Sequence, residues 1–307
     1  LKTFFLFAIL IGNLVLPSKG QDIESIITDS SIRYTVNALS HDSMMGRMTG
    51  SKGMFDAAKF IIRRFRDAGL ESTKEDEGYF SVYKYYSGGA PVTGINVIGQ
   101  LPARLKTDTV VIFSAHYDHI GIKKDLLPWE KDSVYNGAND NASGIAALIE
   151  LAKYYAHAGI NNYNLYFIAF SGEELGLIGS KIYVHLKPNF PVKAVINFDM
   201  IGRPIDNASD HCMVIADDPR KIIRLLKKAY GEPTRFFTRD AFPNESLNSR
   251  SDHHSFKDVT VTAFSFMCTD PHDPYYHEVG DEAGTINFPF LHEAIIKMAK
   301  SCIAFIR

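Results

Sequence analysis

The sequence predicts an α/β protein, a three-layer α/β/α sandwich on a mostly parallel central sheet. Three observations carry this. Short apolar runs recur along the chain, "TVVIFSA" (109–115), "NLYFIAF" (164–170) and "KAVINF" (193–198) among them. Segments of helical period lie between them, and no Pro-, Gly- or Ser-rich linker divides the chain after Gln21. Unbroken apolar runs mark strands buried on both faces, and strand–helix alternation lays helices on both sides of one sheet. Residues 21–307 therefore read as one domain.

The elements follow in order. Residues 22–40 carry Ile23, Ile26, Ile27 and Ile32 at mostly helical spacing. "GMFDAAKFIIRRFRDAGL" (53–70) is a stronger helix, with Phe55, Ala58, Ile61, Ile62 and Phe65 on one side and Gly69 ending it. "GYFSVYKYY" and "INVIGQL" read as strands, followed by the buried strand 109–115. A helix from about Asn141 to His157, the strand 164–170, a helix from Glu174 and the strand "KAVINF" come next. A strand near 212–216, a helix near 219–230, a long loop, the strand "TVTAFSF" and a helix from Phe288 complete the chain.

The first twenty residues differ in character. "LKTFFLFAILIGNLVLPSKG" has an early lysine, an apolar stretch from Phe4 to Val15, then Pro17 and the small residues Ser18 and Gly20. This is the pattern of a secretory signal cleaved to leave Gln21, and the apolar run is short for a bilayer span. Leu1 stands where a Met is expected, which implies a residue ahead of it. The mature protein is thus expected in the periplasm or outside the cell, with no stable membrane anchor. A composition of 46% hydrophobic and 22% charged residues is that of an ordinary globular protein, and a formal net charge of −2 offers no basic stripe for nucleic acid. Three cysteines, Cys212, Cys268 and Cys302, are too few for a disulfide-built scaffold.

In open α/β sheets, sites form beyond the carboxyl ends of the strands. His116 and Asp118 follow the strand 109–115, in "HYDH". Glu173 and Glu174 follow 164–170, Asp199 follows "KAVINF", and His277 ends "PHDPYYH" beyond the last strand. Asp140, in "NGANDNASG", opens a helix. Each has a plain reading: Glu173 and Glu174 as macrodipole partners in a first helical turn, Asp140 as an N-cap, His116 as a core histidine, Asp199 and His277 as loop residues. Together they are two imidazoles and several carboxylates at one crevice, a set that packing does not ask for. Buried carboxylates repel one another, and a divalent cation removes the conflict. Mixed His and carboxylate donors without Cys suit catalytic zinc. One glutamate of the 173–174 pair then binds metal while its neighbour stands by the metal's water as a base.

The blocks "SAHYDH", "NGANDNASG", "FSGEELGLIGS", "NFDMIGR", "SDHHSF" and "YYH" resemble, in order, the signatures of the secreted co-catalytic dizinc aminopeptidases, the bacterial leucyl aminopeptidase and aminopeptidase Y groups. The resemblance runs from about Leu39 to the C-terminus, and "GRMTGSKG" (46–53) is similar to the stretch before that family's first core helix. It implies a mixed central sheet and two zinc ions bridged by Asp140. His116 and Asp199 would complete one ion's protein ligands, and Glu174 and His277 the other's. Glu173 would be the general base, Asp118 would orient the imidazole of His116, and Tyr276 would help hold the oxyanion. The bond after Asp140 would be cis. The implied activity is hydrolysis of N-terminal residues from peptides with a free amine. The loop "KKDLLPWEKDSVYN", with the single tryptophan Trp129, is longer than in compact relatives.

Three alternatives stand beside this. A glutaminyl cyclase of the same fold would carry tryptophan rather than Tyr276 before the last histidine. A carboxypeptidase could use Arg203 or Arg250 for a carboxylate. A non-catalytic binding ectodomain would have lost ligands, and none is missing. His157, His185 and His292 read as surface or packing residues, and His253 and His254 are assigned no metal. The sequon at 141–143 reads as coincidence.

Overall fold

A computed structural model describes residues 22–73, 78–127, 131–186, 190–205, 210–260 and 262–307. The leader expected over 1–20 and Trp129 lie outside the described residues. The strands of the main sheet are β1 (Phe80–Ser87), β2 (Ala90–Leu101), β3 (Val110–His116), β6 (Asn164–Phe170), β7 (Val192–Phe198), β8 (Cys212–Ile215), β9 (Phe237–Thr238) and β10 (Ala263–Met267). A two-stranded ribbon of β4 (Gly121–Ile122) and β5 (Val134–Tyr135) lies within the long loop after β3. The helices are α1 (Ile23–Ile26), α2 (Asp29–Leu39), α3 (Lys52–Asp67), α4 (Gly144–Ala158), α5 (Ile178–Leu186), α6 (Pro219–Tyr230) and α7 (Phe288–Ile306).

The sheet order is β1-β2-β6-β3-β7-β10-β8-β9. Its middle, β6, β3, β7 and β10, is parallel, while β1, β2 and β8 join it antiparallel to their inner neighbours. All seven residues of β3 are buried, as a central strand covered on both faces requires. Successive side chains of a strand point to opposite faces. Val111, Phe113 and Ala115 join the large core under α2, α3, α4 and α7. Val110 and Ile112 join a smaller cluster with Ile168, Val195, Tyr183 of α5 and Phe256. Phe113 lies between Phe167 and Phe198, ring centroids 5.3 and 6.5 Å away. Its truncation to Ala should cost about 3–5 kcal/mol, the range for a large buried aromatic.

Two local expectations fail for identifiable reasons. Phe55 is 37% exposed, and the buried stripe of α3 runs instead through Met54, Ala57, Ala58, Ile61 and Phe65. The helix expected from Glu174 begins only at Ile178. Gly172, Gly176 and Leu177 all have positive φ, so residues 171–177 form a compact turn rather than a helical one. The N–H groups of Gly176 and Leu177 both bond to the Glu173 carbonyl. Glu173 and Glu174 are therefore not first-turn acids, and the macrodipole account of them lapses.

Candidate metal centre

The parallel strands β6, β3, β7 and β10 end at Phe170, His116, Phe198 and Met267, and the chain leaving each end supplies one wall of a crevice. His116 is the last residue of β3 and 1% exposed. Asp199 follows β7, its N–H held by the Phe266 carbonyl at 3.0 Å. Its Oδ2 accepts the hydroxyl of Ser251 at 2.5 Å.

Asp140 sits in a tight segment, 138–143, ahead of α4. The backbone N–H groups of Asn139 and Asp140 donate to the carboxylate of Asp281 at 3.0 Å each, and that of Ala138 to the Asp281 carbonyl at 2.9 Å. Asn141 donates to the Phe198 carbonyl at 2.8 Å, tying the segment to the end of β7. The Asp140–Asn141 bond is cis. Gly137 is left-handed at φ 52°, and a Cβ there would stand 2.2 Å from the Asp140 carbonyl oxygen and 2.7 Å from the ring of His119. Only glycine fits that approach.

Below the crevice, Arg47 is wholly buried. Its guanidinium donates to the carbonyls of Leu39, Tyr117, Asn136 and Gly137, at 2.6 to 3.0 Å. It thereby ties the loop after β3 to the segment ahead of Asp140. Burial lowers it to about 10, against the opposing pull of Asp140, Asp281, Asp118 and Glu174.

The expected donors converge. Asp140 lies between the two histidines: Oδ1 is 3.2 Å from His116 Nε2, and Oδ2 is 3.3 Å from His277 Nε2. His116 Nε2 is also 3.4 Å from Asp199 Oδ1, and His277 Nε2 is 3.1 Å from Glu174 Oε2. Two donors on one tetrahedral ion with bonds of about 2.0–2.1 Å lie about 3.3 Å apart. All four separations match that edge, so the residues fit two such ions sharing Asp140. A carboxylate oxygen of Glu173, a ring nitrogen of His116 and a carboxylate oxygen of Glu174 also lie within 4.8 Å of one another.

The titration of these groups reports the same demand for positive charge. Burial by itself would lower His277, yet hydrogen bonds and charge from Asp140 and Glu174 raise it to about 10. His116 is likewise raised well above the usual histidine range despite burial, by Glu173, Asp199, Asp118 and Asp140. Burial would raise Asp140, but His116 and His277 hold it well below the carboxylate range. Glu174 is held low, with His119 and His277 outweighing burial and the nearby Asp140. Glu173 goes the other way. Burial lifts it well above the usual range; His116 opposes this, while Asp199, Asp252 and Glu174 add to it. Burial and neighbouring charge thus push two adjacent glutamates in opposite directions.

Two expectations about neighbours need correction. His116 Nδ1 lies 3.2 Å from the backbone oxygen of Asp118 but 3.7 Å from its carboxylate. The Asp118 carboxylate is already engaged by the Thr49 hydroxyl and the Glu173 N–H, which draw it off the ring. Arg203, offered above as a carboxylate anchor, is occupied by Asp273 at 2.7 Å, Asp281 at 3.1 Å and Thr285 at 2.6 Å. Arg250 does reach the crevice, where it donates to the Tyr276 hydroxyl at 3.2 Å. Tyr276 is stacked on His277 at 3.9 Å and lines the crevice together with Met200, Leu247, Met267 and Pro271. His253 is bonded to Asn248 at 3.0 Å, His292 to the Ile27 carbonyl at 2.9 Å, and His157 and His185 are exposed.

Sequence reasoning gave no role to His119, whose Nδ1 is 2.8 Å from Glu174 Oε1. It also missed Arg47, Thr49, Ser251 and Asp281. The signal for His119 was its place in "HYDH"; Asp281, alone in a loop, offered none.

Comparison with known proteins agrees with this architecture. The profile described as peptidase family M28 matches residues 96–301. Aminopeptidase YwaD of Bacillus subtilis (strain 168) is 29% identical over 210 residues, 66% of this chain and 42% of that protein. Leupeptin-inactivating enzyme 1 of Streptomyces exfoliatus is 34% identical over 224 residues, 70% of this chain and 43% of that protein. The chain thus spans less than half the length of these relatives. In fold, it is similar to an aminopeptidase from Aneurinibacillus sp. strain AM-1, with TM-score 0.68 and 17% identity over 92% of this chain and 96% of that one. It is similar to a Bacteroides thetaiotaomicron glutaminyl cyclase to much the same degree, with TM-score 0.66 and 16% identity over 91% and 97%.

Proposed function

This chain belongs to peptidase family M28, and from that premise we propose that it is an aminopeptidase using two zinc ions. The observation that carries the reading is Asp140 set between His116 and His277, each also beside one further carboxylate, at 3.1–3.4 Å throughout. His116, Asp140 and Asp199 would hold one ion, and Asp140, Glu174 and His277 the other. Bound zinc would supply Lewis acidity and a water of lowered pKa.

The chain's own residues do the rest. Glu173, raised by burial, accepts a proton at its carboxylate and returns it to the leaving amine. Asp118 fixes the backbone of Glu173 through its N–H. The Tyr276 hydroxyl, held by Arg250, donates to the oxygen on which negative charge develops. The free α-amine of a peptide finds its counter-charge among Glu173 and the surrounding carboxylates, which favours cleavage at the N-terminus. Met200, Leu247, Met267 and Pro271 give the crevice an apolar lining.

Among the described residues no helix is long and apolar enough to cross a membrane. The leader-like residues 1–20 support export of a mature chain beginning at Gln21.

The test is hydrolysis of aminoacyl chromogenic amides, free or N-acetylated, before and after chelation. Activity should be confined to free amines, vanish with chelator and return with zinc. Full activity in metal-free protein would overturn the metal reading, and cleavage of blocked substrates would overturn the exopeptidase reading. Cyclisation of a glutaminyl peptide with ammonia release would favour the cyclase instead.

A further inference from the structure

His119 is 1% exposed and lies against the Glu174–His277 half of the centre. Its Nδ1 is 2.8 Å from Glu174 Oε1, while the other oxygen, Oε2, faces His277 Nε2 at 3.1 Å. The ring is locked in place. It packs on the backbone of Gly137, where a Cβ would come within 2.7 Å of Cγ and Cδ2. It also meets His277 edge-on, centroids 5.8 Å apart. Among the described residues its Nε2 has no hydrogen-bond partner, and it is buried.

Such a ring could be a further metal ligand or a donor to one. The distances separate the two. A length of 2.8 Å is that of an N–H···O⁻ hydrogen bond, shorter than the edge of about 3.3 Å between two donors on one tetrahedral zinc. The separation from Asp140 Oδ2, 3.8 Å, is longer than that edge. The unpartnered Nε2 points the same way: a proton there would be a buried N–H with no acceptor, whereas a proton on Nδ1 has Glu174.

We propose that His119 is a positioning residue for the second zinc site. It donates Nδ1–H to Glu174 Oε1 and so presents Oε2 to the ion shared with His277 and Asp140. The inference rests on the dizinc reading above. It gives the two halves a common plan, since Ser251 holds Asp199 Oδ2 on the other side and leaves Oδ1 beside His116. Each terminal carboxylate then has one oxygen tied by a buried donor and the other free for metal.

Zinc titration of chelator-stripped full-length protein against a chromogenic chelator tests this without reference to activity. His119→Asn places an amide N–H near the old Nδ1 position, whereas His119→Gln places it near Nε2. The wild type should take up two ions. His119→Ala and His119→Gln should bind the first normally and the second about 10–100-fold more weakly, the usual cost of losing such a partner. His119→Asn should recover most of that loss. If His119→Ala does not fold, as shown by melting of the metal-free protein, the Asn–Gln contrast decides alone. Two ions bound with wild-type affinity in His119→Gln would overturn the proposal. So would equal loss in Asn and Gln; a reduced coordination number in the spectra of the cobalt-substituted variants would then mark His119 as a ligand. A wild type that binds no zinc would instead sink the dizinc reading itself.

Discussion

The carboxylate of Asp118 accepts the backbone N–H of Glu173 at 3.2 Å. Its other oxygen takes the hydroxyl of Thr49 at 2.9 Å, and that hydroxyl in turn accepts the N–H of Gly172 at 2.8 Å. The end of β3 is thereby stitched to the turn that carries Glu173. Asparagine has one acceptor where the aspartate has two, so in Asp118→Asn the bond to Thr49 survives only with its direction reversed, and the negative charge beside the Glu173 N–H is lost. We expect kcat to fall about 10–100-fold, as for other supporting residues around a metal centre. Zinc content should stay at two, because His116 Nδ1 is nearer the backbone oxygen of residue 118 than its carboxylate. Loss of zinc in this variant, measured by elemental analysis, would restore the carboxylate to the role of orienting His116.

Glu173 and Glu174 are neighbours in sequence with opposite proton affinities, and exchanging each for glutamine should separate them. Glu173→Gln cannot accept a proton and should lose about 10²–10⁴ in kcat with its zinc retained. Glu174→Gln should lose zinc, because its Oε2 faces His277 and its Oε1 faces His119. Kinetics and metal content on the same preparations would reveal a swap of the two phenotypes, which would reverse the assignment.

The metal-free protein should lose stability as pH rises from mildly acidic to about 10. His277 is raised from 6.5 to about 10, so its contribution is complete below 6.5 and lost as pH climbs through 10. His116, also raised, acts in the same sense. Asp252, a buried carboxyl lifted from 3.8 to about 7 chiefly by burial, stays protonated in the fold while the unfolded chain ionises, so it too loses stability between those values. Asp140, held low, sets the acid side: its contribution is present above 3.8 and lost as pH falls below. Zinc bound at both imidazoles would take the place of their protons and should flatten the alkaline limb. Melting temperatures from pH 5 to 10, with and without chelator, check this; parallel curves would count against it.

How far the sequence reaches is set by whether a residue's partner is local. The central strands could be read because burial on both faces writes an unbroken apolar run, and Phe288 began the last helix as expected. His116, Asp140, Asp199 and His277 were readable because strand ends converge and donor types narrow the chemistry. The turn at 171–177 was not, because "GEELG" suits a first helical turn equally well. Only its left-handed Gly172, Gly176 and Leu177, settled by tertiary packing, exclude the helix. Asp281 was out of reach because it acts 141 residues away in sequence, on the backbone of Asp140.

Arg47 is the extreme case of a residue whose purpose is non-local, and it yields the last prediction. A buried guanidinium with no carboxylate in direct contact among the described residues would be costly by itself; here four carbonyls replace its water, and Asp140, Asp281, Asp118 and Glu174 supply compensating charge. Lysine cannot reproduce this. Its three donors radiate from one atom, whereas the planar fork reaches carbonyls on three separate segments. Arg47→Lys should therefore leave at least one carbonyl unpaired and cost about 1–3 kcal/mol. Arg47→Met takes the donor from all four, leaving Gly137 only the Ala142 N–H at 3.2 Å, and also removes the cation near the carboxylates, so it should cost more, about 3–5 kcal/mol. Bound zinc would neutralise two of these carboxylates, Asp140 and Glu174, so added zinc should restore part of the loss in Arg47→Met. Denaturant midpoints of both variants, with and without zinc, measure each step. If Arg47→Met unfolded at the wild-type midpoint, the guanidinium would have no part in holding the two ligand loops together.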